Sequence, residues 1–272
     1  MEEATEATMQ ARWTGWIRDY VAAAELLIQE GPIHVATEDE RELVAIKLAL
    51  FARAVTILQA CLLLIENDRQ LDFRIHARGI IEATMYSIAL DADQSFVALM
   101  KDDDWRSRQT RAALHLDADD FMGTPEIRDQ LQEFVDQGSQ GAKAISISAL
   151  LKGSDFGRLY RSYRDMSGDA SHVSLTSLNR HYVEHPSTGS AQLMIHPALD
   201  PIDMIMTMSD VAISMSIMSM MIMKIKERTD VWDQFSDLIK RYKVLVAAAG
   251  GSTASERPTD EAADAHSGTA EG

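Results

Sequence analysis

Apolar residues recur every three or four positions along nearly the whole chain, and short polar breaks divide them into helices. The first run spans roughly residues 10–30 and stops at Gly31-Pro32, a helix-breaking pair. A second opens at Thr37, and Glu40 three residues on completes a capping box. Its positions Leu43, Ile46, Leu50, Ile57, Cys61 and Leu64 recur at helical spacing, so one face must be buried. Glu66-Asn67-Asp68 ends it, and a third helix is predicted from about Arg69 to Ala89. Residues 91–120, rich in Asp and Arg, predict shorter and more exposed helices. Thr124-Pro125-Glu126 is an N-cap with proline at the first helical position, and it predicts a helix reaching as far as Lys152 through a glycine-weakened middle.

Ser154 is the expected cap of the next helix, which carries the stretch LYRSYRDMSGDASH from Leu159 to His172. The pattern then changes. Near 181–198, two short alternating runs flank Pro186-Ser187-Thr188-Gly189 and predict a small hairpin or an irregular loop. Asp200-Pro201 starts another helix, and Thr229 is expected to cap a last one ending before Gly250-Gly251. The expectation is a mainly α, bundle-like single domain of about seven to nine helices over residues 1–249. A disordered acidic tail is expected over 250–272.

One helix stands apart. Met204, Met208, Met215 and Met218, extended by Ile222, fall on one stripe, and a stripe at helical spacing is a core face or a homo-oligomer seam. A homodimer through this methionine-rich helix is therefore expected.

Composition narrows the possible functions. An apolar fraction of 46% supports a real core, and a formal net charge of −16 disfavours polyphosphate at long range. Glu256, Asp260, Glu261, Asp264 and Glu271 against Arg257 place −4 of that charge in the tail, leaving about −12 on the body. A local arginine patch can still hold a phosphate. The lone Cys61, in an apolar run, gives no disulfide framework and points to a reducing, cytoplasmic setting. The acidic N-terminus lacks a secretory pattern. Two apolar runs could pass for membrane spans, but one contains Lys47 and Arg53, and the other is short and preceded by Asp210. Both read as buried helices, with no membrane partner.

The common phosphate-binding glycine loops are absent, as is any Glu-x-x-His or Cys-x-x-Cys. Asp169-x-x-His172 and His181-x-x-x-His185 are the nearest metal-like spacings, and neither supplies three or four ligands. No metal and no cofactor are expected. Two polar sets remain. Arg74, Arg78 and Glu82 lie at i, i+4 and i+8 on a helix whose other positions include Ile75, Ile80, Ile81 and Met85. Such charges must be solvated at an edge or paired inside. The second set is the Leu159–His172 stretch. Within it, an arginine and a histidine that converge suit metal-free RNA cleavage, with His172 moving a proton and Arg164 stabilising phosphorane charge. Equally, Ser167-Gly168-Asp169 is a poor helix interior, and His172 reads as a helix-end or core group.

The helix RIHARGIIEATMYSIAL and the later LYRSYRDMSGDASHVSLTSL resemble a bacterial helical family known as domain of unknown function 5677. The resemblance covers about residues 40–225. It implies a helical fold, with Arg74, Arg78 and Glu82 on one element and Tyr163, Ser167 and His172 on the other. More distantly, Arg164-Asp165 followed by His172 is similar to the motif of HEPN domains, helical bundles that include metal-independent ribonucleases of toxin and phage-defence systems. Those place four to six residues before the histidine, whereas seven separate Arg164 from His172 here, a departure from the motif. The two expectations are a polar cluster of Arg74, Arg78, Glu82, Tyr163, Ser167 and Asp169, serving helix packing or binding of a partner or small anionic ligand, and a HEPN-like ribonuclease acting through Arg164 and His172 on RNA.

Overall fold

The structure, a computed structural model, describes residues 2–29, 33, 35, 37–119, 121–138, 144–146, 151, 156–170, 174–185 and 189–253. These form nine α-helices, a 3-10 turn and a two-stranded hairpin, so the chain is mainly α as expected. The helices are α1 (Glu2–Gln29), α2 (Glu38–Glu66), α3 (Gln70–Ala92), α4 (Phe96–Leu116) and α5 (Pro125–Asp136). After them come α6 (Gly157–Ala170), α7 (Leu175–Asn179), α8 (Pro201–Ile225) and α9 (Trp232–Thr253). The hairpin joins β1 (Tyr182–His185) to β2 (Ser190–Leu193), antiparallel, with Tyr182 opposite Leu193 and His185 opposite Ser190. Gly189 turns it at φ +63°, where glycine costs no Cβ clash.

The polar breaks act as expected. Thr37 Oγ1 accepts from the amide of Glu40, Thr124 Oγ1 from Ile127, and an Asp200 carboxylate oxygen from Ile202, each filling a first-turn donor that lacks an intrahelical partner. Between α2 and α3, Asp68 at φ +54° reverses the chain while the Arg69 amide returns to Leu64. The two helices then pack closely. A side chain at Gly79 would come within 3.0 Å of Ile57 Cδ1.

Five boundaries differ from expectation. The first helix begins at Glu2 rather than near residue 10. Residues 96–116 form one helix rather than several, because Asp103–Arg106 and Asp104–Arg108 pairs lie one turn apart along its solvated side. The helix from Pro125 stops at Asp136, well short of Lys152, where Gly138 takes φ +66°. Thr229 opens a 3-10 turn rather than capping the last helix, and that helix runs through Gly250-Gly251 to Thr253. The expected break at Gly31-Pro32, the cap at Ser154 and the tail beyond Thr253 lie outside the described residues.

The main core joins α1, α2, α3, α8 and α9 around Tyr20, Phe51, Phe73, Ile80, Met215 and Phe235. Trp16 Nε1 donates to Leu238 O at 2.8 Å, and Tyr20 shares a 2.8 Å hydrogen bond with Ser219. Both polar tips are thereby satisfied inside the core. The methionine stripe is spent here. Met208, Met215, Met218 and Ile222 are all buried, while Ile202, Met206 and Met220 emerge on the opposite side of α8. By length and apolarity α2 and α8 match membrane-spanning helices, but α8 is the central helix of this fold. Its other neighbour is α6, which also lies on α3, and between these three helices the polar residues meet.

Candidate functional site

Helix α3 presents Arg74, Arg78 and Glu82 to α6 at successive turns. Arg74 meets Asp169, Arg78 meets Ser167 and Tyr163, and Tyr163 meets Glu82. Residue numbers rise on one helix as they fall on the other, so α3 and α6 run antiparallel. For this pairing α6 must stay helical through Ser167-Gly168-Asp169, and it does, ending at Ala170.

The inner half of the cluster is a closed ring of charges. Arg74 Nε donates to Asp169 Oδ2 at 2.8 Å, and Arg180 Nε donates to Asp169 Oδ1 at 2.6 Å. Arg180 Nη2 donates to Asp203 Oδ2 at 2.8 Å, and Asp203 Oδ1 lies 3.7 Å from Arg74 Nη2. Arg74 Nη1 also donates to Thr207 Oγ1 at 2.8 Å. The side chains of Arg74 and Asp169 are only 6% and 2% exposed. Two guanidinium ions and two carboxylates therefore balance in charge, and all four carboxylate oxygens face a guanidinium nitrogen, which is what allows charges to be buried here. Burial opposes the charge on Arg180, but Asp169 and Asp203 outweigh it and hold its pKa above the ordinary arginine value.

The outer half is more open. Arg78 Nε donates to Ser167 Oγ at 2.9 Å, an Nη group bonds the Tyr163 hydroxyl, and the guanidinium carbon stands 4.2 Å over the Tyr163 ring. Tyr163 donates to Glu82 Oε1 at 3.3 Å, while Glu82 and Arg78 lie 4.0 Å apart along α3. Ser167 Oγ donates onward to Tyr163 O at 2.6 Å. Burial, and then the negative charge of Glu82, raise the Tyr163 pKa, so its hydroxyl stays a donor at neutral pH. The same two causes push Tyr86, one turn along α3 from Glu82, up to about 12.

Further along α8 lies Asp210, whose side chain is 1% exposed. Its Oδ1 has no hydrogen bond, nor does the buried hydroxyl of Ser214 one turn on. Arg158 approaches Asp210 Oδ1 only to 3.6 Å. Burial raises the Asp210 pKa, against the pull of Ser162, Arg158 and Arg74.

Six expected residues thus come together: Arg74, Arg78, Glu82, Tyr163, Ser167 and Asp169. Arg164 does not join them. It lies on the exposed side of α6 with no ion pair among the described residues. His172 lies outside the described residues, so no Arg164–His172 geometry is defined. The metal-like spacings lead elsewhere, since Asp169 is held by two arginines and His181 Nδ1 donates to Met194 O at 2.9 Å. Among the described residues, no cluster of three metal-ligating side chains occurs. Sequence reasoning missed Arg180, Asp203, Thr207 and Asp210. Three of these had a signal. Asp203, Thr207, Asp210 and Ser214 form a polar stripe at helical spacing beside the methionine stripe. Arg180 follows a short helix and has none.

A family model described as a family of unknown function, DUF5677, matches residues 44–190, more than half of the chain. The match includes α3 and α6 and most of the cluster, but ends before Asp203 and Thr207. No curated protein and no solved structure matches.

Proposed function

We propose that this chain, which belongs to the DUF5677 family of unknown function, uses its polar cluster as a non-catalytic packing clamp with a recognition face. The inner ring fixes α6 on α3 and α8. The outer group of Arg78, Glu82 and Tyr163 is the part open to a partner or small polar ligand in a bacterial cytoplasm. One observation carries this reading: each arginine of the cluster already faces a carboxylate, Arg74 and Arg180 at Asp169 and Arg78 at Glu82. A phosphate entering here would find neutralised guanidinium groups and a repelling Asp or Glu beside each. A homodimer through α8 would use Ile202, Met206 and Met220, which the core leaves exposed.

A second reading, a HEPN-like metal-independent ribonuclease of a toxin or defence system, draws support from Arg164 alone. That arginine is exposed, has no ion pair among the described residues, and lies on the helix that carries the motif. Incubation of the full chain with structured and unstructured RNAs in excess chelator separates the readings. A packing clamp leaves the RNAs intact. Cleavage by the wild-type chain, abolished in both Arg164→Ala and His172→Ala variants that keep the wild-type melting temperature, would replace the clamp with the nuclease.

A further inference from the structure

On two helices that carry none of the polar cluster, a cleft of about 420 Å³ opens between α1 and α9, lined by Arg12, Gly15, Lys240, Arg241, Val244 and Leu245. Its charge runs against the rest of the molecule. In a chain of net charge −16, residues 240–253 carry Lys240, Arg241 and Lys243 and no acidic residue. Arg12 faces this segment from α1. Arg241 shares its charge with Asp19 at 2.7 Å, both side chains being well exposed, whereas Arg12 and Lys240 have no ion pair among the described residues. The floor is different in character: Val244, Leu245 and the bare backbone of Gly15. Glycine weakens a helix interior relative to alanine, and here packing does not demand it, since a Cβ at Gly15 would meet no atom within 4 Å. Its effect is to keep the cleft open.

We propose that this cleft binds a small anionic amphiphile, its carboxylate or phosphate head between Arg12 and Lys240 and its hydrocarbon part over Gly15, Val244 and Leu245. The volume falls in the range of about 300–1,000 Å³ typical of small-molecule sites, and an apolar floor beneath a few convergent charges is their usual make-up. Arg12 and Lys240 select the head, and the apolar floor separates such a ligand from a bare anion. The site is independent of the Arg/Asp/Tyr cluster.

Titration calorimetry on the full chain tests this with octanoate, octyl phosphate, neutral octyl glucoside and inorganic phosphate, all below their micelle concentrations. At least one of octanoate and octyl phosphate binds about tenfold or more tightly than both octyl glucoside and inorganic phosphate, and the tighter of the two identifies the head group. Affinity falls about tenfold or more in the Arg12→Gln/Lys240→Gln variant, which changes only exposed charges, and falls again at high salt. Gly15→Leu, which fills the cleft, abolishes binding, and Gly15→Ala keeps the helix and weakens it. Equal affinity for octyl glucoside, equal affinity for inorganic phosphate, or undiminished binding in the charge variant would overturn the proposal.

Discussion

Asp169 is the residue on which the inner ring turns, and its removal has a calculable cost. Asp169→Ala strips the acceptor from Arg74 Nε and Arg180 Nε, which lie 2.8 and 2.6 Å from its two oxygens. Breaking a buried ion pair from one side costs about 3–5 kcal/mol, because the remaining charge stays desolvated. Arg74 keeps Thr207 and Asp203 as partners, and Arg180, whose side chain is 20% exposed, can turn toward water. The expected loss is therefore at the low end, about 3 kcal/mol. For a domain of this size that lowers the melting temperature by about 6–12 °C. Urea unfolding followed by circular dichroism is the assay: the midpoint should fall with the slope unchanged. Arg18→Ala serves as the control, since it breaks an exposed pair with Glu66 and should cost less than about 1 kcal/mol. A cycle combining Asp169→Ala with Arg180→Ala should give a coupling energy of about 0.5–3 kcal/mol. An Asp169→Ala variant within about 0.5 kcal/mol of wild type would refute the clamp as described.

Three further outcomes follow from particular residues. Asp210 has a raised folded-state pKa, so between the ordinary carboxylate value and that raised value the folded state binds the extra proton. Stability should therefore fall as pH rises through this window. Asp210→Asn should flatten that slope and be the more stable form at neutral pH; urea midpoints across pH 4–8 that keep the wild-type slope would contradict this. Gly168 lies inside α6 with no atom within 4 Å of an added Cβ, so Gly168→Ala should stabilise by about 0.5–1 kcal/mol, read as a raised melting temperature. Cys61 is buried, and burial pushes its thiol up to about 12. A thiol-specific chromogenic reagent should titrate it only in denaturant, and rapid labelling of the native chain would contradict the packing of α2.

Much of the fold can be read from local chemistry. Thr37, Thr124 and Asp200 each stand where a first-turn amide needs an acceptor, and all three were visible as caps. Weak local preferences gave way where side-chain pairing opposed them. The glycine-bearing stretch of α6 stays helical because Arg78 and Arg74 hold Ser167 and Asp169 on either side of Gly168. The charged stretch of α4 stays whole because its acids and bases pair along the helix. Gly250-Gly251 does not end α9. The candidate site divides in the same way. Arg74, Arg78 and Glu82 share a face by spacing alone, and so do Tyr163 and Ser167, so their meeting was foreseeable once both helices were. Asp203 was overshadowed by the methionines around it. Arg180 was invisible because its position depends on where the α7 turn is carried, which no local pattern encodes.

Amide hydrogen exchange along α6 tests the clamp most directly. If the ring holds α6 on α3 and α8, Asp169→Ala should cost the amides of residues 161–170 about tenfold or more in protection. Protection along α6 that is the same in variant and wild type would contradict the account.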